Sequence, residues 1–204
     1  MEEEKITLKN LVDELNYYGT LKSVRFSILG VQLYAEHYVN QLILTQIKEL
    51  AWKEVKTYLS FPQKLKILEK MNCVNQDTKR ILEMLNNIRD LFVHELTISS
   101  KEIEEHLKNS KLGFKYSWVA QDNAGKKEHF INLEEEYKKI PSKINQLIVS
   151  SSVIIGILYY NLNKLTNKNT EEFIDVLFQK DEKSNYFASL IVYQSDTFNS
   201  TSNP

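Results

Sequence analysis

The stretch from Leu82 to Leu96, LEMLNNIRDLFVHEL, constrains the fold most, because it combines a strong helical pattern with a compact set of polar residues. At about 100° per residue, its apolar side chains fall on one side of a helix. With the preceding isoleucine, the members of this apolar stripe are Ile81, Leu85, Ile88, Phe92 and Leu96. The sequence therefore predicts a helix whose stripe faces a core.

The polar residues of this helix fall within about 140° of arc on the side opposite the stripe. They are Asn86, Arg89, Asp90 and His94, of which Asn86, Asp90 and His94 follow one another at one-turn spacing. An imidazole base (His94), a permanent cation (Arg89) and a carboxylate (Asp90) therefore lie on this side of the helix. Helical spacing alone favours the simpler interpretation, a solvated polar face with an Asp90–His94 pair.

The run RDLFVH, from Arg89 to His94, resembles the signature of HEPN domains. The segment from Ser60 to Glu95 reads as a short helix, a turn and a second helix, which is similar to HEPN-type and mannitol-operon-repressor-like helical families. Asp90 stands where those families more often have Asn. An earlier helix in such families often carries an acidic residue in an apolar context, and Glu36 in FSILGVQLYAEHYVNQLI is similar. The resemblance covers roughly residues 20 to 100.

The HEPN resemblance implies a metal-independent endoribonuclease, in which the ribose 2′-hydroxyl attacks the adjacent phosphate and a 2′,3′-cyclic phosphate forms. His94 would transfer the proton, since an imidazole can accept or donate one near neutral pH. Arg89 would hold the scissile phosphate and stabilise its extra negative charge. Asp90 would orient the His94 ring, and Asn86 and Glu36 would support the site.

Two further hypotheses remain open. In the first, the protein is a non-catalytic helical dimer that acts as a regulator or protein-interaction module. Arg89 would then form a structural ion pair with Glu36 or Asp90. In the second, it is the toxin of a toxin and nucleotidyltransferase pair, with an antitoxin as partner. In that HEPN branch a Tyr follows the His by two positions, and here that position is Leu96, which counts against control by adenylylation.

The overall charge predicts no particular partner, because the formal net charge is −1 and nucleic-acid-binding proteins are usually basic. Any RNA contact must therefore come from a local patch or a groove between subunits. Val93 and the small polar residues of the motif face favour contact with a second subunit. A two-fold homodimer would place two copies of Arg89 and His94 around one groove, so we expect one RNA site built from two chains.

Helical patterns elsewhere predict a mainly α fold, an up-and-down bundle of about five to eight helices in one domain spanning residues 1–194. Capping-box spacings at Ser60 and Ser99 predict two helix starts. The uncharged run from Ile144 to Leu162 predicts a central buried helix, since its Asn, Gln and Ser residues make it a poor membrane span. We therefore expect no membrane contact.

The remaining segments carry weaker signals. An alternating pattern around the turn sequence QDNAG predicts a small β-hairpin inserted at about residues 113–133, and the polar tail 195–204 is predicted to be disordered. Glu102 and His106 lie one turn apart, but no further ligand pattern accompanies them, so neither a metal nor a cofactor is expected. A single cysteine, Cys73, and the acidic start MEEEKITLKN predict a cytoplasmic protein.

Overall fold

The fold is given by a computed structural model, which describes residues 13, 17, 23–47, 58–95, 97–122, 125–166, 178–180 and 186–188. The helices within these ranges are α1 (Val24–Gln46), α2 (Phe61–Lys70), α3 (Gln76–His94), α4 (Ser100–Leu107), α5 (Leu133–Glu136) and α6 (Lys143–Leu165). A 3-10 turn, Tyr137–Lys139, follows α5. The prediction of a mainly α fold is confirmed. Leu96 and the predicted disordered tail, 195–204, lie outside the described residues.

The predicted helix starts are formed by hydrogen bonds within the first turn of each helix. The Ser60 backbone N–H donates to Gln63 Oε1 at 2.8 Å, and the Ser99 N–H donates to Glu102 Oε2, also at 2.8 Å. The Asn75 side chain accepts from a backbone N–H of α3 at 2.8 Å. These bonds pair backbone groups that a helix terminus otherwise leaves unsatisfied, and α2 and α4 begin where the sequence predicts.

The core is built around α6, whose Ile154, Ile155 and Leu158 are fully buried. α1 packs along α6, and the Tyr38 and Tyr159 rings meet edge to face with their centroids 5.7 Å apart. Among the described residues, the segment Lys143–Asn163 is long and apolar enough to cross a membrane, but 78% of its apolar window is buried inside the protein. The prediction that this helix is a central buried one is confirmed.

α1 runs antiparallel to α3. Near the start of α1, the Arg25 guanidinium lies 5.4 Å from the centroid of the Phe92 ring and donates to the Glu95 carbonyl oxygen at 3.3 Å. Further along α1, Gln32 Nε2 donates to Asn86 Oδ1 at 3.4 Å. Later residues of α1 therefore contact earlier residues of α3. The described members of the apolar stripe are all buried, namely Ile81, Leu85, Ile88 and Phe92.

Two strands, β1 (Lys115–Asp122) and β2 (Gly125–Asn132), occupy the interval in which the sequence predicts a hairpin. They pair antiparallel, with the first residue of β1 opposite the last residue of β2. A second, shorter pair, β3 (Phe178–Lys180) and β4 (Tyr186–Ala188), follows α6 along the chain. Neither pair contributes a predicted site residue, so the candidate site rests on the helices.

Candidate active site on helix α3

Arg89 is held by two neighbours on its own helix. Its Nη1 lies 2.9 Å from Asp90 Oδ1, and its Nη2 donates to Asn86 Oδ1 at 3.1 Å. The Arg89 side chain is 30% exposed. A guanidinium carries five N–H groups, so contacts with these two oxygens leave others for a ligand. Arg89 is therefore oriented by the protein and open to solvent at the same time.

Asn86 is buried, at 5% exposure, whereas the sequence predicts it on the outward polar face. The prediction is wrong because α1 covers a flank of α3 beside the apolar stripe, where Leu82 is also fully buried. Both the nitrogen and the oxygen of the Asn86 side-chain amide form hydrogen bonds. Its Nδ2 donates to Asp90 Oδ2 at 3.0 Å, while its Oδ1 accepts from Arg89 and from Gln32.

Asp90 does not orient His94, although the sequence predicts that pair. Both residues are within the described part of the chain, and they form neither a hydrogen bond nor an ion pair. One carboxylate oxygen of Asp90 accepts from Asn86 and the other pairs with Arg89. The guanidinium is a permanent cation beside the carboxylate and the buried Asn86 amide needs an acceptor, so the Asp90 carboxylate is held towards these two partners rather than towards His94. We call Gln32, Asn86, Arg89 and Asp90 the motif network.

His94 is the last residue of α3, and it is exposed. Its position depends on the contacts that tie the end of α3 to the start of α1, the Arg25 guanidinium over the Phe92 ring and the Arg25 hydrogen bond to the Glu95 carbonyl. The imidazole is therefore presented to solvent on an anchored helix end. Arg89 lies five positions earlier on the same helix, as the sequence predicts.

Glu36 lies on α1 but is not the partner of Arg89. Glu36 Oε1 is 3.6 Å from Lys64 Nζ of α2, and the Lys64 side chain is only 4% exposed while that of Glu36 is 38% exposed. The predicted pairing of Glu36 with Arg89 is therefore wrong, because the cation beside Glu36 is the buried Lys64. Glu36 neutralises Lys64 between α1 and α2, so it joins no atom of the motif network.

Sequence reasoning missed Gln32, which is 3% exposed and links α1 to the motif helix. The signal available was an amide within the apolar run ILGVQLYA, because a polar residue among buried neighbours requires a partner. Periodicity could flag such a residue but could not say that the partner is Asn86, which lies 54 positions away in the chain.

Large apolar side chains are exposed on the two helices that carry the network. On α1, Phe26 is 62% exposed and Leu33 is 66% exposed, and on α3, Val93 is 49% exposed. Phe26 and Leu33 follow directly after Arg25 and Gln32, the residues through which α1 reaches α3. Their exposure places apolar surface on the helix that borders the network.

A cleft of about 320 Å³ lies at the other end of α3 from His94. Its lining includes Cys73, Thr78 and Asn161, and none of the motif residues. Burial raises the pKa of the Cys73 thiol, which favours the unreactive protonated form. The chemistry of Arg89 and His94 is therefore on an open surface rather than in this cleft.

Within the described residues, no group of three His, Cys, Asp or Glu side chains is arranged to hold a metal ion. Comparisons with protein-family models, with curated proteins and with solved structures found no match to the chain. The geometry and chemistry of the motif residues are therefore the basis for a functional proposal.

Proposed function

We propose that the protein is a HEPN-like metal-independent endoribonuclease, with Arg89 and His94 as its catalytic residues. The observation that carries the proposal is the pre-oriented, partly exposed Arg89 on the same helix as the exposed His94. The two residues are separated along the helix axis by about 7.5 Å. They also differ by about 140° around the helix axis, so the long Arg89 side chain, rather than the shorter His94 imidazole, would span the gap to place both groups at one phosphate and the adjacent 2′-hydroxyl.

His94, Arg89 and Asp90 would have different roles in the reaction. His94 removes the 2′-hydroxyl proton or returns a proton to the leaving oxygen, an effect worth about 10²–10⁴ in rate. Arg89 uses N–H groups not bonded to Asn86 or Asp90 to bind the phosphate oxygens and stabilise the added negative charge. Asp90 holds the guanidinium through an ion pair of 2.9 Å and also competes with the phosphate for it.

We further propose that the active form is a homodimer through the surface beside the motif network. Exposed Phe26 and Leu33 on α1 and Val93 on α3 support this, since exposed apolar side chains gain free energy when a second subunit covers them. A two-fold axis there would bring two motif helices together. Two copies of Arg89 would then concentrate positive charge on one RNA strand, although the chain has a net charge of −1.

We also propose a biological setting for this activity. A ribonuclease of this kind suits a toxin or defence role in the cytoplasm, with RNA as substrate and an antitoxin or regulatory protein as partner. Burial of most of the apolar window in α6 supports a location away from the membrane. The near-neutral charge supports a defined RNA target, because sequence-independent binding depends on excess positive charge.

The second candidate is a non-catalytic helical dimer that acts as a regulator or protein-interaction module. The observation that favours it is the Arg89–Asp90 ion pair, which neutralises the cation inside the motif. In this alternative the motif network links α1 to α3 and shapes an interaction surface. RNA would then be neither bound nor cleaved.

The deciding experiment is incubation of the purified protein with mixed RNA in EDTA. We expect cleavage that leaves 2′,3′-cyclic phosphate ends, and we expect His94→Ala to lower the rate by about 10²–10⁴. The matched control is His106→Ala, since His106 is also exposed and also lies in the last turn of its helix. Cleavage that requires a divalent ion, or a His94→Ala protein as active as the control, would contradict the proposed mechanism.

The composite site is tested by light scattering and by subunit exchange. We expect a dimer at micromolar concentration, and we expect a mixture of inactive Arg89→Ala and His94→Ala subunits to regain part of the activity. A monomer, or a dimer that keeps the two motifs apart, would show that a single chain forms the site.

A further inference from the structure

The charged ends of the motif network fix the orientation of the Asn86 amide. Ionised Asp90 can only accept hydrogen bonds, so the Asn86 atom at 3.0 Å from its Oδ2 must be the Nδ2 donor. Arg89 can only donate, so the Asn86 atom at 3.1 Å from its Nη2 must be Oδ1. The two constraints agree, and the amide has one possible orientation.

The orientation of Asn86 in turn fixes that of Gln32. Because Asn86 presents Oδ1 to α1, the Gln32 atom that faces it at 3.4 Å must be the Nε2 donor. The Gln32 carbonyl oxygen then points into the protein, where it is buried and has no hydrogen-bond partner. A buried oxygen without a partner is unfavourable for folding, so packing alone does not account for an amide at this place.

We propose that Gln32 is a positioning residue for the endoribonuclease site, an inference that rests on the proposed function. Gln32 donates from α1 to the same Asn86 oxygen that receives the Arg89 guanidinium. It thereby restricts rotation of the Asn86 amide, which sets the angle between Arg89 and Asp90. The guanidinium N–H groups that bind phosphate are held outward by this chain of contacts.

The variant Gln32→Met tests the proposal, because Met has a similar size and flexibility but no amide. We expect kcat for RNA cleavage to fall about 10- to 100-fold, with a smaller change in KM, since misplacement of Arg89 weakens charge stabilisation in the transition state. We expect the melting temperature to stay within about 2 °C or to rise, because the unpaired oxygen is removed. A residue with a merely structural role would lose stability and activity together.

A second variant, Gln32→Glu, reverses the polarity of the contact. A carboxylate would set an acceptor against Asn86 Oδ1 and would bury a charge, so we expect both activity and melting temperature to fall. The matched control is Asn40→Leu, since Asn40 lies on the same helix and its Oδ1 is likewise buried without a partner. We expect this control to keep wild-type kcat.

An NMR measurement separates this inference from the proposed function. In Gln32→Met we expect the Asn86 side-chain amide signals and the Arg89 Nε–H signal to shift and to exchange faster with water, whether or not RNA is cleaved. A wild-type protein that does not cleave RNA would overturn the ribonuclease proposal and leave these spectra to decide the role of Gln32. Unchanged spectra, wild-type kcat in Gln32→Met, or equal losses in Asn40→Leu would overturn the positioning role.

Discussion

Two polar clusters join distant parts of the chain, and they differ in how many of their polar atoms have hydrogen-bond partners within the protein. At the start of α6, the Glu104 carboxylate of α4 accepts from the Ser142 hydroxyl and from the backbone N–H groups of Lys143 and Ile144, the latter two at 2.9 and 3.1 Å. A helix N-terminus carries unpaired N–H groups and a positive partial charge. The carboxylate therefore satisfies the helix end, and each of its oxygens has a donor.

In the motif network, some polar groups are not used by contacts within the protein. Arg89 and Asp90 are 30% and 43% exposed, and the Gln32 carbonyl oxygen is buried without a partner. The contacts of Arg89 with Asn86 and Asp90 use only part of its N–H groups. The comparison indicates that the Glu104 cluster stabilises the fold, whereas the motif network orients a cation that can still bind a ligand.

Between the motif network and the Glu104 cluster, the largest expected effect is the loss of RNA cleavage in Arg89→Ala. We expect the rate to fall about 10²–10³-fold, because one preorganised charge donor is removed from the developing negative charge. Arg80→Ala is the matched control, since Arg80 lies on the same helix, pairs with Asp77 at 2.9 Å and is 33% exposed. Cleavage rates at saturating RNA provide the measurement. Equal rates in the two variants would make the motif network no different from an ordinary helix-surface pair.

The next effect is on stability, in Glu104→Ala. We expect about 2 kcal/mol of destabilisation, or about 4–8 °C in melting temperature, because the donors at the start of α6 lose their acceptor. Cleavage per folded molecule should stay at the wild-type level. The control is Glu105→Ala, which removes a 72% exposed partner of Lys108 and should cost at most about 0.5 kcal/mol. Equal melting temperatures in the two variants would refute the capping role.

A smaller effect is expected from Asp90→Asn, which removes the anion that neutralises Arg89. We expect RNA binding to tighten about 3-fold, because the phosphate no longer competes with a carboxylate for the guanidinium. Asp77→Asn is the matched control, since Asp77 pairs with Arg80 and both aspartates are 43% exposed. Fluorescence titration with labelled RNA measures the change. Weaker binding in Asp90→Asn would mean that Asp90 helps Arg89 more than it competes with it.

The smallest expected effect is the loss of a stabilising contribution at acidic pH. The hydrogen bond from the Ser99 backbone lowers the pKa of Glu102 from its ordinary value of 4.5, and the Lys111 ammonium lowers that of Glu134. A lowered pKa in the folded state gives stability that is present above about pH 4.5 and is lost as the pH falls through the folded value. The melting-temperature gap between wild type and Glu102→Gln should therefore be present at pH 7 and shrink as the pH falls below about 4.5. A gap independent of pH would contradict this linkage.

The amino-acid sequence by itself determined the features that depend on residues within one helical turn. Asn75, Ser60 and Ser99 cap helices through partners three positions away, so their roles follow from spacing. The apolar stripe of α3 is also local in this sense, because the helical period alone places its members on one face. These patterns were sufficient for a mainly α fold and for Arg89 and His94 as neighbours along one helix.

The tertiary structure decided which polar atoms meet, because that choice depends on what packs against each helix face. Asn86 lies on a face that periodicity marks as outward, yet α1 covers it and supplies Gln32 from 54 positions away. The Glu104 cap reaches across as many as 40 positions. Asp90 pairs with the buried Asn86 and with the Arg89 guanidinium, and not with His94 four positions further along its own helix. Helical periodicity describes one helix at a time, whereas burial and hydrogen-bond partners are properties of two helices in contact.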